Sequence, residues 1–187
     1  MIKKTIVLLC FCSTIFLSCK EEVLPKPTSL LRLEYATPNY ITLTNGGLFQ
    51  FEVNKTDTKI IIDKPESIRI VYPKMKATIY INYKPVANNI KILLSDAQKL
   101  TYEHVIKADD ILEQPFINTD KKVYGMFYEV GGDAATNVQF YATDSLKNFV
   151  VGSAYFYAKP NFDSIYPAAN YLKNDMQKIM ETLEWKK

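Results

Sequence analysis

Three stretches of the chain carry residue types that could do chemistry. The first is the thiol of Cys19, set between Ser18 and three charges in "FLSCKEE", residues 16–22. The second is "TYEHVIKADD", in which His104 stands near Asp109 and Asp110 and can be drawn as a metal or acid–base centre. Zinc takes at least three protein ligands of suitable type, and no second His or Cys is at hand to complete the set. His104 is also the single histidine, so any serine triad would have to use it as base. Gly152-Ser153 lies inside an alternating strand rather than in a Gly-x-Ser-x-Gly turn. As a carboxylate pair, Asp109-Asp110 invites comparison with glycosidases. Adjacent residues in extended chain point in opposite directions, so the pair reads instead as a loop that ends a helix. The third stretch, Gly131-Gly132-Asp133, lacks the Lys and the following helix that phosphate cradling needs, and reads as a hairpin turn. Neither metal nor cofactor is expected.

The tyrosines pose a different question. Tyr124, Met126, Tyr128 and Val130 share one face of a strand, and Tyr155 and Tyr157 share one face of another. Exposed, they form a face for a partner. Under a helix they are core, the commoner fate of alternating aromatic strands. A pocket lined by Tyr124, Tyr128 or Tyr155 beneath the helices would make the chain a small-molecule binder, and both readings stay open.

The elements that position these groups follow from composition and period. Thirteen Tyr and ten Phe against six Gly point to a sheet-rich fold. Alternation predicts strands at Leu31–Tyr35, Leu48–Val53, Thr58–Ile62, Ile68–Tyr72 and Ala77–Lys84, separated by Asn45-Gly46-Gly47 and by the regions of Pro65 and Pro73. A helix capped by Asn88 or Asn89 then runs to about Ala108, with Ile90, Leu93, Leu94, Ala97, Thr101 and Val105 on one stripe. Strands return at Val123–Val130, Asn137–Thr143 and Asn148–Ala158, with Asp144-Ser145 as a turn.

A last helix starts near Asp163 or Ser164, with Pro167 in its first turn. Ile165, Ala169, Leu172, Met176, Ile179 and Leu183 recur there at four-three steps, while Lys173, Asp175, Gln177, Lys178 and Glu181 face elsewhere. Short connections imply antiparallel pairing. The result is an α+β domain, an antiparallel sheet with two main helices packed on it, similar in element order to the Mog1 and PsbP proteins.

The first residues read differently. Met1–Lys4 is a positive start, Thr5–Leu17 is apolar and Ser18 is small, the order of a secretory signal over residues 1–18. The apolar run is shorter than the ~20 residues that span a bilayer. Cys10 and Cys12 leave with the signal, so Cys19 has no partner for a disulfide and needs another use. The segment resembles a bacterial lipoprotein signal, although Phe16 stands where that pattern usually has Leu. That resemblance implies an acylated Cys19 at the new N-terminus, an anchor rather than a nucleophile. Lys20-Glu21-Glu22 is similar to the charged tag of surface-exported lipoproteins of the Bacteroidota, or serves as a solvated tether. With Pro25 and Pro27, residues 19–29 form a semi-stiff tether, and 30–187 read as one domain. Lys and Arg number 23 against 20 Asp and Glu; without Lys3 and Lys4 the balance is 21 to 20, or +1, which argues against nucleic acid as a partner.

Four stretches carry a family resemblance through essentially the whole mature chain: "LPKPTSLLRLEYATPNY", "YINYKPVANNIKILLSDAQKLTYEHVIKADDI", "VYGMFYEVGGDAATNVQFYATDS" and "PNFDSIYPAANYLKNDMQKIMETLEW". They closely resemble the gliding motility lipoprotein GldD family of the Bacteroidota. The resemblance implies a non-enzymatic accessory of the gliding machinery, tied to type IX secretion. It also implies a lipid anchor on Cys19 in the cell envelope, most simply the outer membrane, and other gliding and secretion proteins as partners.

Overall fold

The computed structural model describes residues 34–102, 108–132, 136–157 and 162–186. Seven strands form one antiparallel sheet in the order β3-β4-β5-β9-β8-β7-β6. They are β3 (Lys59–Lys64), β4 (Ser67–Tyr72), β5 (Ala77–Pro85), β6 (Ala108–Asn118), β7 (Val123–Gly132), β8 (Thr136–Thr143) and β9 (Asn148–Phe156). A second, three-stranded antiparallel sheet has β2 (Phe49–Asn54) between β1 (Tyr40–Asn45) and β10 (Glu184–Trp185). The helices are α1 (Ile90–Tyr102) and α2 (Phe162–Thr182). The α+β architecture stands as expected, with one addition: the strands are shared between two sheets.

Alternation decides which residues meet. In β9, Phe149 and Val150 are both buried but point to opposite faces of the large sheet. Phe149 packs with Leu93 and Ala97 of α1 and with Tyr141. Val150 joins the larger core on the other side, where Ile68, Ile70, Ile79, Ile81 and Phe140 meet Phe49, Phe51 and Val53 of β2 and the α2 stripe. The molecule is therefore layered: α1, then the seven-stranded sheet, then the small sheet with α2 beside it. All six members of the α2 stripe, from Ile165 to Leu183, are buried, and each large one contributes about 2 kcal/mol by leaving water. Gly152 lies where β9 passes the Phe140 ring; a Cβ there would overlap it, so a glycine is required in mid-strand.

Several expectations are corrected. Glu34–Asn39 have no regular structure, so no strand covers Glu34 and Tyr35, and the first strand among the described residues is β1; residues 31–33 lie outside them. Helix α1 ends at Tyr102 and Ala108 already begins β6, so Asp109-Asp110 sits in a strand rather than in a helix-ending loop. Gly131 and Gly132 continue β7 and are not a hairpin turn, while Asp133 and Val105 lie outside the described residues. Pro167 is the sixth residue of α2, beyond the first turn, where its ring removes a bond to the Asp163 carbonyl. Asp175, expected to face elsewhere, is 1% exposed.

Candidate functional site

Cys19, Lys20, Glu21, Glu22 and His104 lie outside the described residues. The four tyrosines lie on one side of the large sheet, the side that α1 covers, but differ in exposure. Tyr128 is buried opposite Gln139, 6.3 Å from the Tyr141 ring, which in turn stacks on Phe149 beneath α1. Burial raises its hydroxyl pKa. Tyr124 is half-buried on the same strand face, opposite Thr143. Tyr155 lies edge-on to Tyr80 at 5.6 Å, and Tyr157, the residue after β9, has 63% of its surface exposed. The Tyr157 hydroxyl lies 2.8 Å from that of Thr78 and 3.2 Å from that of Tyr80, and these bonds lower its pKa.

Two carboxylate centres dominate the polar interior, and both are built on α2. Asp175 receives three hydrogen bonds: the Tyr40 hydroxyl donates to Oδ1 at 2.6 Å, and the Tyr72 hydroxyl and Asn54 Nδ2 donate to Oδ2 at 2.8 and 3.0 Å. Asn54 extends the network, donating to the Tyr171 hydroxyl at 2.9 Å and accepting the Asn39 and Thr56 amides at its Oδ1. The Tyr171 hydroxyl donates to the Ala36 carbonyl at 3.0 Å. Burial and then the adjacent Asp175 carboxylate push the Tyr40 and Tyr72 hydroxyls well above the ordinary tyrosine range. This centre joins β1, β2, β4 and α2, and burial together with its three donors keeps Asp175 from any ligand.

The second centre is open. Glu129 on β7 accepts Gln114 Nε2 at 3.0 Å and pairs with Lys173 Nζ of α2 at 3.2 Å, each of the charged side chains being about a quarter exposed. Opposite Gly131, the register of β6 slips between Ala108 and Ile111, so that Asp109 and Asp110 together face one glycine. Such a bulge re-aims a side chain. The Asp110 carboxylate lies directly over Gly131, where any Cβ would overlap it. The two acidic and glycine-rich stretches thus meet as the wall of a cleft of about 200 Å³, closed on the far side by Tyr166, Asn170 and Lys173. Its chemistry suits one small polar or cationic group, because Asp110 has no ion-pair partner among the described residues. Tyr124, Tyr128 and Tyr155 do not line it.

Sequence reasoning missed Asp175 and Glu129. Asp175 lies three residues after Leu172 and one before Met176, on the flank of the apolar stripe; that position was its one available signal. No group of three or more His, Cys, Asp or Glu suited to a metal occurs among the described residues. No helix among them is long and apolar enough to cross a membrane.

The family model described as "Gliding motility lipoprotein GldD" matches residues 20–185. Among curated proteins, none matches the chain significantly.

Proposed function

The chain belongs to the GldD family of gliding motility lipoproteins, and from that premise we propose that it is a non-enzymatic accessory of the gliding machinery, linked to type IX secretion. In this reading the acyl chains on Cys19 hold it at the outer membrane. Residues 19–29 are the tether, and the domain docks onto other components of the apparatus. The observation that carries the proposal is the family match over nearly all of the mature chain, from Lys20 to Trp185. Physical support comes from confinement: a domain held at a surface has a high effective concentration near partners on the same surface, so contacts that are weak alone suffice.

The test is a Cys19→Ala chain exported to the periplasm in soluble form. Loss of gliding and of type IX secretion, with the fold intact by circular dichroism, is the expected result. Full restoration of both by the soluble protein would falsify the anchor-and-dock mechanism. Protease added to intact cells then places the domain, since cleavage of the native protein but not of a Lys20-Glu21-Glu22 to triple-alanine variant would make these charges a surface address.

A further inference from the structure

At one end of the molecule four segments converge where the tether reaches the domain. Thr56 Oγ1 donates to the Thr37 carbonyl at 3.2 Å, and the Lys55 amide donates to the Asn39 carbonyl at 2.8 Å. Tyr35 packs on Tyr171 with ring centroids 5.3 Å apart. Lys74, in the β4–β5 turn, pairs with Asp57, in the β2–β3 turn, at 2.8 Å. The Tyr157 amide, just past β9, donates to the Lys76 carbonyl at 2.8 Å. Residues 34–39, the two turns and the end of β9 therefore form one corner, and the chain arriving from Cys19 is pinned to it.

We infer that this corner is the membrane-facing surface of the domain and seats on the phosphate-bearing headgroups of the leaflet that holds the anchor. Charge is the first argument. Lys55, Lys59 and Lys76 are exposed and have no ion-pair partner among the described residues, while Lys74 extends into solvent beyond its contact with Asp57. Against these four cations stand Glu34 and Asp57, an excess of two positive charges. Surface lysines near an anionic leaflet each strengthen attachment about fivefold.

The second argument is the side chain that follows β9 at this corner. Tyr157 exposes its ring while its hydroxyl stays bonded to Thr78 and Tyr80, the amphipathic form that suits a membrane–water boundary. The third is reach. Residues 19–33 extend at most about 45 Å at the rise of a proline-rich linker, so the corner remains close to the leaflet and a modest attraction orients the domain. The acidic cleft at Asp110 does not oppose this. It lies at the β6 edge, three strand positions from the end of β9, or about 14 Å away, beyond one screening length in physiological salt.

This orientation rests on the acylation of Cys19 proposed above, and one experiment separates the two. The acylated mature protein is reconstituted into vesicles of phosphatidylcholine alone and into vesicles that also contain phosphatidylglycerol. Flotation reads the anchor, and lysine acetylation read by mass spectrometry reads the orientation. The expected result is flotation with both vesicles and, only with phosphatidylglycerol, several-fold slower labelling of Lys55 and Lys76. Lys84 and Lys147, at the opposite strand ends, label alike in both, and high salt removes the difference. Protein that floats with neither vesicle overturns the anchor and the orientation together. Protein that floats with both yet labels alike overturns the orientation alone, as does protection of Lys55 and Lys76 found only in native membranes, which would assign the corner to a protein partner. In the first case, the K55E/K76E variant should label its remaining lysines equally in both vesicles.

Discussion

Lys173 and Asp175 are two residues apart on α2, and that spacing turns them to opposite flanks of the helix. Toward one flank the carboxylate is closed: Asp175 is covered, carries three donors and has no ion-pair partner among the described residues. Toward the other, Lys173 meets Glu129 at the edge of a cleft that water enters. The comparison teaches where a buried charge serves the fold and where it stays available. A carboxylate surrounded by neutral donors is held by all of them at once, and removing it strands every donor in the interior. A partly exposed pair shares its charge with solvent and stands or falls at little expense to the fold.

The largest expected effect is therefore at Asp175. Asp175→Ala leaves the Tyr40 and Tyr72 hydroxyls and the Asn54 amide without their acceptor, and should lower stability by about 3–5 kcal/mol in urea unfolding. A loss as small as that of a surface substitution would show that the closed network is decorative and erase the contrast.

Tyr72→Phe removes one of the three bonds and should cost about 2 kcal/mol near neutral pH. It also carries a pH signature. Because the Tyr40 and Tyr72 hydroxyls are raised in the folded protein, the stability they lend is fully present below the ordinary tyrosine value of about 10 and is lost as pH climbs above it. Urea midpoints taken through the alkaline range should fall more steeply for the wild type than for Tyr72→Phe. Parallel curves would mean that other groups govern alkaline unfolding.

The smallest effect belongs to the open centre. Lys173→Ala should change stability by no more than about 1 kcal/mol, since its partner Glu129 keeps both solvent and the Gln114 amide. A double-mutant cycle with Glu129→Gln that returns a coupling as large as the Asp175 effect would overturn the division between the two flanks.

The sequence revealed these centres unevenly, for physical reasons. Strands β2, β4 and β5 and the α2 stripe were legible because burial on one face imposes a period that polar residues interrupt on schedule. Phe49, Phe51 and Val53 are the plainest case. Strand β6 was not, because it is an edge strand. With one side unpaired and both faces partly wet, it admits the Asp109-Asp110 bulge, Pro115 and exposed Leu112 and Ile117, which together blur any alternation. Two-residue β10 has no local signature at all; Glu184 and Trp185 form a strand only because β2 is there to pair with them. Asp175 was misplaced because its charge argued for solvent, whereas the tyrosines and the asparagine that make burial tolerable come from positions 40, 54 and 72, far away along the chain. The tyrosine faces were seen as faces, but the choice between cover and exposure depends on where α1 lies, and a strand's own alternation does not encode that.

The pairing of β2 has a consequence for the order of events in the life of the chain. Its one neighbour, β1, is complete a few residues earlier, but its other neighbour is made of Glu184 and Trp185, and the Trp185 indole closes onto the Lys122 carbonyl at 3.0 Å. The small sheet thus cannot be finished until Glu184 and Trp185 have been delivered, and such long-range closure is slow. Under the export that the proposed function requires, a polypeptide threaded through a translocation channel from its N-terminus keeps this sheet open, and so stays threadable, until Trp185 has cleared the pore.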